Sequence, residues 1–278
     1  MSAVGPARAQ NLFVSDGGNN VYEFSPSGAS ITYATGFSQA NSIVFDKSGD
    51  LFVSDSGNGN VYEITPGGVK SVFATVPGLP NAMIFDGAGN LYVTSDSGPG
   101  SGAIFKFTPG GSRSTFATGL NWPDGLAFNT SSNLFASDSS DDIIYSITPS
   151  GVKSNFASGM GGPAGLAFDS SGNLFDSDFW SGNIFKFTPG GTRTTFATGL
   201  GVGGPNKIVI NASNDLFEAN GGSGIVYEFA PDGTRTVFAS GLGTASGVAF
   251  STVPEPSALA LLAIGSLGLG ILKHRRSL

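Results

Sequence analysis

The chain of 278 residues has no cysteine and one histidine, His274, near its C-terminal end. A disulfide framework, a thiolate metal site and a cysteine nucleophile are therefore excluded. Over residues 10–252 so are a Ser-His-Asp triad, a His-ligated zinc and a histidine general base. Basic residues are also scarce, with 13 Lys and Arg against 20 Asp and Glu and a formal charge of −7. Lys273, Arg275 and Arg276 belong to the terminal segment, so the rest is more acidic still. No nucleic acid is expected as a partner, because phosphate contacts need clustered Lys and Arg. An acidic surface takes cations or neutral polymers more readily. A long 3.6-residue period is missing before Ser257, so the body lacks a helical pattern.

What the chain does contain is one unit written six times. NLFVSDGGNNVYEFSPSG begins at Asn11 and DLFVSDSGNGNVYEITPGG at Asp50, and four more copies follow. The leading leucines are Leu12, Leu51, Leu91, Leu134, Leu174 and Leu216, spaced by 39, 40, 43, 40 and 42 residues. That spacing is the period of a propeller blade. Each unit reads as four short strands bounded by turn residues, and 43 Gly with 15 Pro supply the turns. In the fifth unit strand a is Gly165–Phe168, strand b starts at Asn173, strand c at Asn183 and strand d at Arg193. Strand c alternates, with Tyr22 and Phe24 on one face and Glu23 on the other. The aromatics of strand d, Tyr33, Phe73, Phe116, Phe156, Phe196 and Phe238, are expected to pack between blades.

The phase of the repeat predicts how the ring closes. The first unit starts at strand b, and an extra strand a, residues 247–251, follows the last. The expected fold is all-β: a six-bladed β-propeller of four-stranded blades over residues 10–252. Its C-terminal strand completes the N-terminal blade and removes the open edges.

The pattern P-x-G-L-A-F-D-x-x-G-N-L-F-x-S-D, clearest from Pro163 to Asp178, resembles the NHL-repeat family. It is also similar to gluconolactonase (regucalcin-like, SMP-30) propellers and to virginiamycin B lyase. Across about Asn11 to Ser251 the resemblance implies the fold and leaves the activity open.

Strand a should begin at the mouth of the central channel, where Asn41, Asn81, Asp124, Ala164 and Asn206 take successive places and Ser246 completes the circle. The resemblance to gluconolactonases implies a divalent metal there, held by Asn41, Asn81, Asp124 and Asn206. Such oxygen ligands suit Ca²⁺ or another hard divalent cation. Asp124, the one carboxylate of the set, would be ligand or base. The competing expectation is that these residues only cap turns. The loops after strand b add Asp16, Asp55, Asp96, Asp138, Asp178 and Asn220 to the same face, each able to close an Asx-turn. Trp122 and Trp180 also map there. Exposed aromatics beside amides and carboxylates such as Asp178 make a sugar-binding surface, and anchoring of loops is the alternative.

The C-terminal end changes character. Pro254-Glu255-Pro256 is followed by 16 uncharged residues, 257–272, and then by Lys273-His274-Arg275-Arg276. A hydrophobic helix over 257–272 is short for crossing a bilayer, and the basic end would stay cytoplasmic. The three parts, residues 253–278, resemble a PEP-CTERM sorting signal. That resemblance implies a Gram-negative bacterium, transient membrane anchoring, processing by an exosortase, and release or attachment outside the cell. At the other end Ala7-Arg8-Ala9 is an A-x-A cleavage pattern. Residues 1–9 are therefore expected to be the remnant of a signal peptide that extends upstream.

Two functions remain open. The first is an exported binding or scaffold module for polysaccharide or envelope protein. The alternative is a metal-dependent lactonase or lyase working at the channel mouth.

Overall fold

The computed structural model describes residues 10–251. The sorting signal, its apolar segment 257–272 and the stretch 1–9 lie outside the described residues. Within them every regular element is a strand.

Twenty-four strands form six sheets of four. The first blade takes β1 (Leu12–Ser15), β2 (Asn20–Phe24) and β3 (Ser30–Thr35). The second is β4 (Ala40–Phe45), β5 (Leu51–Asp55), β6 (Asn60–Ile64) and β7 (Lys70–Thr75). The third is β8 (Leu79–Phe85), β9 (Leu91–Asp96), β10 (Gly102–Phe107) and β11 (Arg113–Leu120). The fourth is β12 (Pro123–Phe128), β13 (Leu134–Asp138), β14 (Ile143–Ile147) and β15 (Lys153–Ser158). The fifth is β16 (Pro163–Phe168), β17 (Leu174–Asp178), β18 (Asn183–Phe187) and β19 (Arg193–Ala197). The sixth is β20 (Pro205–Ile210), β21 (Leu216–Asn220), β22 (Ile225–Phe229) and β23 (Arg235–Ala239). Finally β24 (Val248–Phe250) pairs antiparallel with β1, matching Leu12 to Phe250 and Val14 to Val248. The six-bladed ring is thus closed by the C-terminal strand, as the repeat phase predicts.

Each sheet is packed on both faces, and this explains its burial pattern. Phe13 on β1 faces the second blade, where Phe45 meets it edge-on at 4.8 Å, and Tyr33 of its own blade meets it at 4.9 Å. The same trio recurs as Phe73–Phe52–Phe85, Phe116–Tyr92–Phe128, Phe156–Phe135–Phe168 and Phe238–Phe217–Phe250. At the remaining interface Ile210 replaces the third ring, beside Phe175 and Phe196. Edge-to-face rings add about 0.5–1.5 kcal/mol per pair to the area they bury. The alternation expected for strand c is only half of the pattern. Glu23 does lie opposite Tyr22, but Val21, Val61, Ile104, Ile144, Ile184 and Val226 share the Glu23 face and are fully buried. A following blade covers that face, so it is core rather than rim.

The inner strands hold a regular irregularity. In β4 the register runs from Ala40 opposite Asp55 to Ile43 opposite Val53, so Asn41 and Ser42 together face Ser54. The same two-for-one bulge follows Pro80, Pro123, Pro163 and Pro205. A bulge bends its strand and re-aims side chains, and here it turns two residues of each inner strand into the axial channel region. β16 accordingly starts at Pro163, two residues before the expected Gly165.

Candidate functional site

A hydroxyl near the end of strand b serves the start of the inner strand in five blades, and the sixth has Ala219 at that place. Ser54 Oγ accepts from Ser42 N–H at 2.9 Å and donates to the Asn81 carbonyl of the next blade at 2.8 Å. Ser137 Oγ does the same between Gly125 N–H and the Ala164 carbonyl, both at 2.6 Å. Ser177 links Gly165 to the Asn206 carbonyl, and Ser15 links Gly247 to the Asn41 carbonyl. Blades approach closely here: a Cβ on Gly125 would fall 1.9 Å from the Ala164 carbonyl oxygen, which requires glycine.

This frame brings Asn41, Asn81 and Asp124 together at the starts of their inner strands. The Asn41 amide donates to Asn81 Oδ1 at 3.0 Å, and the Asn81 amide donates to Asp124 Oδ1 at 2.5 Å. The fourth expected member stands apart from this chain, since the Asn206 amide lies close to Gly221 in the loop after β21. Its neighbour takes part instead. Lys207 Nζ lies 2.5 Å from Asp124 Oδ1, with only 9% of the Lys207 side chain and 16% of the Asp124 side chain exposed. Lysine reaches from the sixth blade to the fourth, past the fifth, where the ring position is Ala164. Sequence reasoning missed Lys207, although a signal was present. Its place in the repeat is small elsewhere: Ser42, Ala82, Gly125, Gly165 and Gly247. Beneath the pair runs a cavity of about 460 Å³, lined mainly by apolar groups such as Met83, Leu126, Phe128 and Phe250. Among the described residues lining it, Lys207 alone is charged.

The aspartates after strand b act on backbone. Asp55 accepts from Ser38 and Gln39 N–H, both at 2.8 Å. Asp138 accepts from Asn121 N–H at 2.8 Å, and burial pushes its pKa up to about 6. Asp178 is fully buried and accepts from Gly161 and Ser181 N–H at 2.6 and 3.0 Å. It is therefore a support beneath the expected ligand surface rather than part of that surface, because its oxygens are committed to ordering the loops above.

Both tryptophans do reach solvent, Trp122 at 50% and Trp180 at 60% exposure. Trp122 has φ +69°, a left-handed conformation that a bulky residue adopts only under constraint. Ser139 supplies that constraint, donating to the Trp122 carbonyl through both N–H and Oγ at 3.1 Å. From there the loop after β13 continues the contact. Asp141 accepts from the Asn121 amide at 3.0 Å, and Asp142 accepts from Gly162 N–H at 3.0 Å. Gly162 (φ +82°) is the seat of Trp180, since a Cβ there would fall 2.4 Å from the indole. The two indoles are thus joined by one ridge through residues 139–142, with Phe179 edge-on to Trp180 at 4.8 Å.

Two further acids lie in the core: Asp176, which the sequence groups with Asp138, Asp141, Asp142 and Asp178 as a cluster able to attract cations, and Glu218, which sequence reasoning missed. Asp176 and Glu218 take the strand b place that holds Val14, Val53, Val93 and Ala136 in the other blades. Both are fully buried between blades, and neither oxygen of either carboxyl has a hydrogen-bond partner. Burial pushes Glu218 up to about 8; the Asn206 backbone and the Asn220 amide stand near enough to oppose this weakly, without meeting hydrogen-bond geometry. Burial, together with the charges of Asp178 and Asp124, holds Asp176 well above the carboxylate range.

Comparison with family descriptions matches residues 7–199 to the SMP-30/gluconolactonase/LRE-like region. The chain belongs to the SMP-30/gluconolactonase/LRE-like family. Residues 252–276 match the PEP-CTERM protein-sorting motif, which implies an exported protein processed by an exosortase. No curated protein matches significantly. Among solved structures, a chain of a nidogen/laminin complex has TM-score 0.77 at 17% identity, over 87% of this chain and 98% of that one. Virginiamycin B lyase from Staphylococcus aureus has TM-score 0.64 at 16% identity, over 84% and 85%. A gluconolactonase from Xanthomonas campestris has TM-score 0.67 at 18% identity, over 76% and 79%. These likenesses establish the fold.

The divalent cation that the SMP-30/gluconolactonase/LRE-like family implies does not fit this mouth. Asp124 Oδ1 already meets an ammonium and an amide, and Asn81 Oδ1 is turned to Asn41. A metal approaching Asp124 Oδ1 would meet the Lys207 charge at contact distance. Among the described residues no group of three His, Cys, Asp or Glu could hold a metal.

Proposed function

We propose that this propeller is an exported, exosortase-processed binding module that holds a polysaccharide on its Trp122–Trp180 ridge in the cell envelope or extracellular matrix. The observation that carries the reading is the pair of half-exposed indoles bridged by residues 139–142. A protein normally keeps large aromatics in its core. Here an unusual backbone conformation and a glycine seat hold two of them at the surface. Sugar rings stack on such faces through their C–H groups, while Asp141 and Asp142 offer acceptors to hydroxyls between them. The same carboxylates repel anionic polymers, so the reading is of a neutral or amine-bearing glycan.

Binding to immobilised neutral, amine-bearing and anionic polysaccharides tests this. The purified protein should be retained by the first two classes and pass the third. Trp122→Ala and Trp180→Ala should each weaken retention at least about tenfold, the order expected for losing one stacking contact of 1–3 kcal/mol. Retention unchanged in both variants defeats the reading, and capture by an envelope protein instead would move the ridge to protein recognition.

Family membership favours a second reading, a lactonase or lyase with Asp124 as its base. The ion pair with Lys207 weighs against it, because Asp124 Oδ1 is already held by the ammonium and by the Asn81 amide and would have to leave both to reach a substrate. Lactone hydrolysis that persists in the wild type and disappears in Asp124→Asn would restore it.

A further inference from the structure

We infer that the Lys207 ammonium is a built-in replacement for the divalent cation of the channel mouth, and that it masks a cation site formed by Asp124, Asn81 and Asn41. The inference concerns the axial mouth and stands apart from the glycan reading of the Trp122–Trp180 ridge.

Three observations carry it. First, the three side chains are linked in one direction: Asn41 donates to Asn81, Asn81 donates to Asp124, and Asp124 meets Lys207. The relay ends on a single positive charge, which Asp124 alone meets while the two amides hold Asp124 in place. Second, Lys207 breaks the repeat at a place that is Ser, Ala or Gly in every other blade, and Ala164 breaks it at the place the lysine passes. The two departures compensate: a long cationic side chain enters, and a side chain that would stand in its way is absent. Third, the pair is nearly buried, so removing either partner strands the other charge where water scarcely reaches. A charge fixed to the backbone costs no ion-binding entropy and does not depend on external cation concentration.

The test uses thermal unfolding of the wild type, Lys207→Met and the double variant Lys207→Met/Asp124→Asn, each with chelator and with about 10 mM CaCl₂. The wild type should be indifferent to calcium. Lys207→Met should melt roughly 5 °C lower in chelator, the scale for stranding a half-buried charge, and should recover most of that loss in calcium. The double variant should regain stability without calcium and show no response to it. A wild type that gains stability in calcium, with the gain abolished by Asp124→Asn, overturns the inference, and so does a folded Lys207→Met that ignores calcium. Should Lys207→Met fail to fold, Lys207→Gln, one atom shorter than lysine, keeps a polar end and removes the charge, with the same expectations. Calorimetric titration of calcium into each variant gives an independent readout: no heat of binding in the wild type and a site in Lys207→Met.

Discussion

Asp176 and Glu218 occupy core places that are otherwise Val or Ala, and they carry no hydrogen-bond partner. At this scale the protein departs most from its own repeat. Glu218 titrates at about 8 when folded and near 4.5 when exposed. The folded state therefore keeps a proton that the unfolded chain gives up, and stability falls as pH rises from about 4.5 to 8. Over that interval the lost stability approaches about 4 kcal/mol. Glu218→Val, the residue of the first three blades at that place, should remove this dependence. Urea unfolding at pH 5 and pH 9 should show the variant gaining a few kcal/mol over the wild type at pH 9 and much less at pH 5. An equal gain at both values would mean that the carboxyl is ionised in the fold.

Among the elements, the inner strand with its bulge decides where the site residues point. In five blades a hydroxyl from the neighbouring strand satisfies a buried N–H there, and from Ser15, Ser54, Ser137 and Ser177 it also reaches the next blade; the sixth bulge forms opposite Ala219 without one. In the third blade Thr94 Oγ1 accepts from Ala82 N–H at 2.8 Å. Ser137→Thr should therefore be tolerated. Ser137→Ala should cost about 1–3 kcal/mol, because the Gly125 N–H and the Ala164 carbonyl are left unpaired. Unfolding midpoints in urea distinguish the two. Equal stability of both variants would show that water replaces the hydroxyl.

For the whole molecule the decisive contact is the pairing of β24 with β1, which joins residues more than 230 positions apart. A propeller with that seam open exposes two strand edges. The chain has no other cysteine, so Val14→Cys/Val248→Cys forms one defined disulfide between facing positions. The oxidised variant should gain about 2–4 kcal/mol over its reduced form. Melting temperatures with and without reductant measure this, and an unchanged value would place the rate-limiting opening at another blade.

The sequence by itself determined the blade number, the strand order, the closing strand, the aromatic packing and the sorting signal. All of these are periodic or local patterns, repeated often enough to override any single residue. It also brought Asn41, Asn81 and Asp124 to one mouth, because equivalent places in a cyclic repeat converge on the axis. The tertiary structure alone decided what those residues do there. A lysine on the sixth blade satisfies an aspartate on the fourth, and no spacing rule records a contact made across a ring. For the same reason Asp178 read as surface and is buried, and Asp176 and Glu218 are carboxyls buried between blades. Burial and pairing depend on what the next blade places opposite, which only the closed ring specifies.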